Sequence, residues 1–419
     1  MGELEAPRVS EKCGSRSGGA FSRLGPGLVS GVADDDPSAI GTMAQVGASL
    51  GLRLVWGPVL VLPFIACVQV ATSRIASARR SGLVAAAREV VPRWLLVIVF
   101  GPVVLANIFT LGADLDAMAS ALGLVTGVGE WLALVVVTIT SIGLIVGLPY
   151  HRYRWVLMTL ALTIFTFIAV IAVADVHWRR VADAFVLSDV HFDRPDLAGL
   201  IAVVGAIASP FVIVWHANSE VEEANSSVRR PRRLAQTVDV VAGLTVAVIA
   251  ATCVMIVTAT VLPAAGITKV QTVDQVARGL EPLLGNGAEA VFSLGIIGVG
   301  MLAVPVLAIG AAYVVSQLVG WQHGLGKPWR DAPGFYLLIT GAALVAVALH
   351  AAQVPTVRAL YFASIANGLA VPLLFLLIAY VARSHRVMGH DRVGITVSAV
   401  AAAGGLSAAS LPIIYLATA

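Results

Sequence analysis

The amino-acid sequence predicts an all-α integral membrane protein of eleven transmembrane helices, built as an inverted 5+5 repeat with broken helices 1 and 6. Three observations predict it: the composition, the side on which the positive residues fall, and two interruptions at matching places. Of the 419 residues 58% are hydrophobic and 12% charged, whereas a soluble domain carries roughly 25% charged residues. The chain is therefore read as polytopic. Its 40 glycines suit helices whose backbones approach closely in lipid. Cys13, Cys67 and Cys253 have no paired spacing, so they read as space-filling thiols and not as ligands or disulfides.

Residues 1–24 are polar and rich in Ser and Gly, without the apolar core of a signal peptide, and are expected to form a flexible cytosolic tail. Runs long enough to cross about 30 Å of hydrocarbon then occur near 25–50, 53–73, 94–123, 131–148, 154–176, 198–217, 235–262, 287–319, 334–350, 357–382 and 394–417. They read as one transmembrane domain over 25–419, with repeat one at 25–176, repeat two at 198–382 and an extra helix at 394–417. Cytoplasmic loops of membrane proteins carry the excess of Lys and Arg. With the N-terminus inside, 20 of the 27 Lys and Arg residues fall on the inner side and seven on the outer. The expected placement is a cell membrane, with a cytoplasmic N-terminus and an extracytoplasmic C-terminus.

Span one contains Asp34, Asp35 and Asp36 followed by Pro37. An aspartate at a bilayer centre costs about 2.5–3.5 kcal/mol on insertion scales, so three of them must face protein or water. Pro37 has no N–H and pushes Asp36 out of helical geometry, which breaks the helix and frees backbone carbonyls. A broken helix bearing carboxylates is a candidate cation site. In carriers built from inverted repeats the site lies between two discontinuous helices in corresponding positions. Span six should then be broken as well, and Ser209-Pro210 lies at its middle.

These residues resemble the NRAMP (natural resistance-associated macrophage protein) family of divalent-metal transporters, which have the LeuT-type fold. Gly25-Pro26-Gly27, then Asp36-Pro37-Ser38-Ala39, then Gln45 and Gly47 look like that family's Gly-Pro opening, its Asp-Pro-Gly-Asn metal motif and the Gln-Ala-Gly that follows. Gly205 to Phe211 looks like its Met-Pro-His segment. The resemblance implies a secondary active transporter that moves divalent cations such as Mn²⁺ or Mg²⁺ by alternating access, the metal being substrate and no cofactor being expected. It implies Asp36, the carbonyls of Ala33 and Ala206, and Ser209 as the metal positions, with Gln45 as polar support.

The departures from the family pattern shape the expected chemistry. The family's Asn corresponds to Ala39 and its Met thioether to Ser209, so the only sulfur ligand is missing. Oxygen-only ligation suits Mg, Ca or Mn. Asp34 and Asp35 are candidates for additional ligation or charge. The family's histidine beside the proline is Phe211 here, and of its span-three acid pair Asp114 is kept while Ala117 stands for the other. Asp116 lies on a different helix face from Asp114. Asp114 and His216 remain as a candidate proton pathway, with protons as an open partner. Asn367 lies about a turn from Ala370, which stands where the family has a metal-shell Gln, and is a candidate polar substitute.

Each of these features also has a plainer reading. Ser209-Pro210 is then a helix kink, Asp114 a polar residue bonded to a neighbouring helix, and Glu220, Glu222 and Glu223 a solvated helix end answering Arg229–Arg233. No P-loop, Gly-x-Ser-x-Gly, His-Glu-x-x-His or paired-Cys motif is present, so no enzyme is proposed, and the Arg cluster reads as a lipid anchor and not a nucleic-acid surface. No obligate protein partner is evident. Two rivals stand beside metal transport: a LeuT-fold transporter of a small cationic organic solute, and a receptor-like relative that has lost transport, against which the lack of a sizeable soluble domain weighs.

Overall fold

The computed structural model describes residues 31, 33–147, 159–174, 176–186, 192–226, 233–281, 285–324 and 330–418. The tail at 1–24 and the Gly25-Pro26-Gly27 opening lie outside the described residues, as do Arg229, Arg230 and Arg232. Helices and turns make up the rest, with no strand among the described residues. The long helices are α1 (Pro37–Leu50), α2 (Gly57–Arg79), α3 (Arg93–Thr126), α4 (Glu130–Gly147), α5 (Ile164–Val173), α6 (Arg194–Ile207), α7 (Pro210–Ser226), α8 (Arg233–Ala264), α9 (Ala288–Val319), α10 (Pro333–Ala351), α11 (Thr356–Arg383) and α12 (Ile395–Ala417).

Among the described residues, eight helical stretches are long and apolar enough to cross a membrane, α6 and α7 together forming one of them. The expected spans two, three and six to eleven coincide with these eight. Span four is α4, and span five is described as a 3₁₀ turn at Ala161–Thr163 running into α5. Span one is described from its break onward, as α1. Long apolar side chains such as Leu105, Ile139, Leu344 and Leu406 are exposed on the outside of the bundle, as expected of a surface that meets lipid and not water.

Chain chemistry sets the breaks. α1 starts at Pro37, where the missing N–H is one that a first helical turn leaves unbonded anyway, and Asp36 caps it by accepting from the Ala39 N–H. α6 stops at Ile207 and α7 starts afresh at Pro210, so span six is interrupted where Ser209-Pro210 predicts. α1 packs between α8 and α11, and α3 packs against α9, α10 and α11. Close approach is enforced by glycine: a Cβ at Gly205 of α6 would lie 1.9 Å from the Ser364 carbonyl oxygen of α11, and one at Gly368 of α11 would lie 2.2 Å from the Ile201 carbonyl oxygen. α6 and α11 therefore meet backbone to backbone.

Gly205→Ala is expected to lower the thermal unfolding midpoint of the purified protein by the equivalent of about 1–3 kcal/mol or more, since overpacking here meets backbone and not a movable side chain. Gly101→Ala, with nothing within 4 Å of the added Cβ, should hold or raise it. Equal midpoints for the two variants would refute the close contact.

Candidate metal centre

The two interruptions face each other and are joined by a hydrogen bond. The Ser209 N–H donates to Asp34 Oδ1 at 3.2 Å, across 175 positions of sequence. Asp36 Oδ1 accepts from the Ser38 hydroxyl at 2.6 Å and from the Ala39 N–H at 2.7 Å. The Ser209 hydroxyl donates to the Ala206 carbonyl at 3.2 Å. Asp34, Asp35, Asp36 and Ser209 are at most 2% exposed, so the centre is sealed from solvent on both sides in this structure.

The carboxylates are under-satisfied. Asp34 Oδ2, Asp36 Oδ2 and both oxygens of Asp35 have no hydrogen-bond partner, a state that buried acids rarely hold without a cation or proton. Backbone oxygens are left over by the same local chemistry. In an α-helix each carbonyl accepts from the N–H four residues on. Pro37 stands four residues after Ala33 and Pro210 four after Ala206, so neither alanine carbonyl can have that partner. The two positions singled out by resemblance are thus the two that proline orphans. Among the described residues, no three His, Cys, Asp or Glu side chains are grouped to hold a metal. A cation here would need carbonyl and hydroxyl oxygens beside the carboxylates, and Asp34–Asp36 do not form a side-chain cage by themselves.

Around this centre lie polar residues of α1, α3 and α11. Thr42 donates to the Ser364 hydroxyl at 2.8 Å, and Ser364 donates to the Ser38 carbonyl at 3.4 Å. Asn367, one turn after Ser364, donates to Thr110 Oγ1 at 3.2 Å and leaves its own Oδ1 unpartnered. Asp114 is fully buried on α3, one turn after Thr110; its oxygens make no hydrogen bond, and it lies in electrostatic range of Asp36 and of the Ser38 N–H. It therefore faces the break, as a pathway residue must.

Other expectations land elsewhere. Gln45 does not support the centre: its Oε1 accepts from the Val270 N–H at 2.9 Å and ties α1 to the loop after α8. His216 is fully buried on α7, and its Nε2 lies 3.8 Å from Glu220 Oε1. Glu220 is no solvated helix end either, because Ser73 of α2 and Gln236 of α8 donate to it at 3.1 and 2.9 Å. Glu222 accepts from the Tyr313 hydroxyl. Asp116 belongs to a separate cluster, with His350 Nδ1 at 2.7 Å and the Thr356 hydroxyl donating at 2.7 Å. That cluster ties α3 to the end of α10 and the start of α11. It is invisible in sequence, since its members are 234 and 240 positions apart.

The family described as "Natural resistance-associated macrophage protein-like" matches residues 27–418. A protein named "Divalent metal cation transporter MntH" from Acidiphilium cryptum is 25% identical over 97% of this chain and 92% of its own length. Among solved structures, the manganese transporter of Eremococcus coleocola, in complex with an aromatic bis-isothiourea substituted compound, superposes with a TM-score of 0.75 at 16% identity, covering 95% of this chain and 87% of that one. Mhp1, a nucleobase-cation-symport-1 family transporter, superposes with a TM-score of 0.60 at 14% identity, covering 94% of this chain and 92% of the other.

Asp35 carries desolvation with no compensating bond, whereas Asp36 also caps a helix. Asp35→Leu should therefore raise the unfolding midpoint of the metal-free protein by the equivalent of about 1–3 kcal/mol. Asp36→Leu should gain less or lose, because a lost cap costs about 0.5–2 kcal/mol. An Asp35→Leu protein no more stable than the parent would show that this carboxylate has a partner.

Proposed function

This chain belongs to the natural resistance-associated macrophage protein-like (Nramp) family, and we propose that it carries a divalent metal cation through the centre between its two helix breaks by alternating access. Its fold is the LeuT-type fold and its class of activity is metal transport. The observation that carries the reading of the site is the pairing of two proline-orphaned carbonyls, Ala33 and Ala206, with carboxylates that have bare oxygens. Asp36 Oδ2 supplies the principal charge, Ser209 a hydroxyl, and Asp34 or Asp35 a second charge. Water retained from the hydration shell completes the coordination.

With Ser209 where the family has a thioether, every donor is oxygen, and the site favours Mn²⁺, Mg²⁺ or Ca²⁺ over softer ions. Rocking of the α1 and α6/α7 unit against α3 and α9 exposes the site to each side in turn. The excess of Lys and Arg on one side supports a cytoplasmic N-terminus in the cell membrane. Asp114, facing the break, is the first proton acceptor of a coupled mechanism; His216 and Glu220 form its inner end.

Calorimetric titration of the purified protein with Mn²⁺, Mg²⁺ and Ca²⁺ should show binding that Asp36→Ala abolishes. Pro210→Ala, which restores an N–H to bond the Ala206 carbonyl, should weaken it at least tenfold. Binding of none of the three ions, or binding indifferent to both substitutions, would sink this site. In proteoliposomes holding a pH dye, metal uptake should acidify the lumen, and Asp114→Asn should remove the acidification. Uptake with a constant internal pH would reject proton coupling and leave metal transport standing.

A further inference from the structure

A cavity of about 420 Å³ lies in the membrane-spanning part, walled by α2, α6, α11 and α12. It is separate from the metal centre but ends beside it. The lining runs from Trp56 and Phe192, just before α2 and α6, to Ala208 at the second break. That is the full length of α6, about 21 Å at 1.5 Å per residue. Phe64 of α2 and Phe375 of α11 line it, and its lining side chains are apolar apart from Ser407 and Ser410 on α12 and the indole of Trp56.

In a membrane such a space is open to hydrocarbon and not to water. An apolar cavity without polar partners does not hold water, and a void forfeits the dispersion contacts of its lining. At about 30 Å³ for each water-sized group, 420 Å³ takes roughly fourteen, the size of one phospholipid acyl chain. The depth matches too, from one interface towards the bilayer middle, where acyl chains of one leaflet lie. Its mouth has interfacial chemistry. Trp56 and Phe192 line it there as aromatic anchors, and Arg194, exposed and two residues beyond Phe192 in sequence, has its guanidinium 5.5 Å from the centre of the Tyr415 ring. Asp193, the nearby acid, lies 3.9 Å from Arg53 and caps α6, so the cation of Arg194 is available to a phosphate.

We propose that this cavity is a specific site for one bilayer phospholipid, an acyl chain running along α6 to Ala208 and an anionic headgroup held at Arg194. Because the chain's tip abuts the residue before Ser209, occupancy props α6 in the position seen here and so acts on the second break.

Native mass spectrometry of the full-length protein, released from detergent after incubation with palmitoyl-oleoyl phosphatidylglycerol, should show one retained lipid. Ala408→Trp, which fills the cavity from α12, should lower retention at least tenfold, whereas Leu406→Trp, on the outer face of the same helix with 62% exposure, should leave it unchanged. Val204→Phe fills the cavity from α6 and serves should Ala408→Trp fail to fold. Arg194→Ala should reduce the preference for phosphatidylglycerol over phosphatidylethanolamine. Equal retention in the filling and outer-face variants, or retention of detergent without phospholipid, would overturn the proposal.

Discussion

Asp34, Asp35, Asp36 and Asp114 sit together in the apolar interior of this bundle, and the cost of keeping them there shapes what surrounds them. Asp34, Asp35 and Asp36 lie on one stretch of chain and Asp114 faces it from α3, yet most of their oxygens are bare. Each bare oxygen forgoes water without replacement. The structure offsets part of that cost with one distant donor, a backbone N–H from the second break, and two local ones, the Ser38 hydroxyl and the Ala39 N–H of the helix that starts at the acids themselves. The rest is uncompensated, and buried carboxyl groups left so call for a cation or a proton.

Proline answers the demand twice. By removing an N–H at Pro37 and at Pro210, the chain leaves two helix carbonyls, four residues upstream in each case, without their helical N–H partner. Placing these donors costs nothing in side-chain chemistry, which is why residues as bland as Ala33 and Ala206 hold key positions. In the proposed site Ser209 leaves the donor set uniformly hard, so discrimination among cations would fall on charge, size and dehydration.

Much of this was legible in the sequence. Hydrocarbon thickness fixes the length of a span, and a proline beside acids or small residues has few other meanings inside one, so both breaks were readable from single stretches of chain. Contacts between distant stretches were not. Glu220 looked like a solvated helix end because Ser73 and Gln236, the residues that bury and satisfy it, come from other helices. Gln45 sits in the right motif but is aimed at Val270, because its place on α1 takes it towards a loop. Asp34 gave no local sign that it would be the acid that touches the second break.

A carrier also has to make its return stroke empty. In the proposed centre the Ala206 carbonyl has a local partner of its own, the Ser209 hydroxyl. The acidic half has no such internal substitute. In the proposed cycle that bond divides the centre into a part with a local partner and a part that needs a positive charge, and the identity of that charge would decide whether the return is free, exchanging or driven.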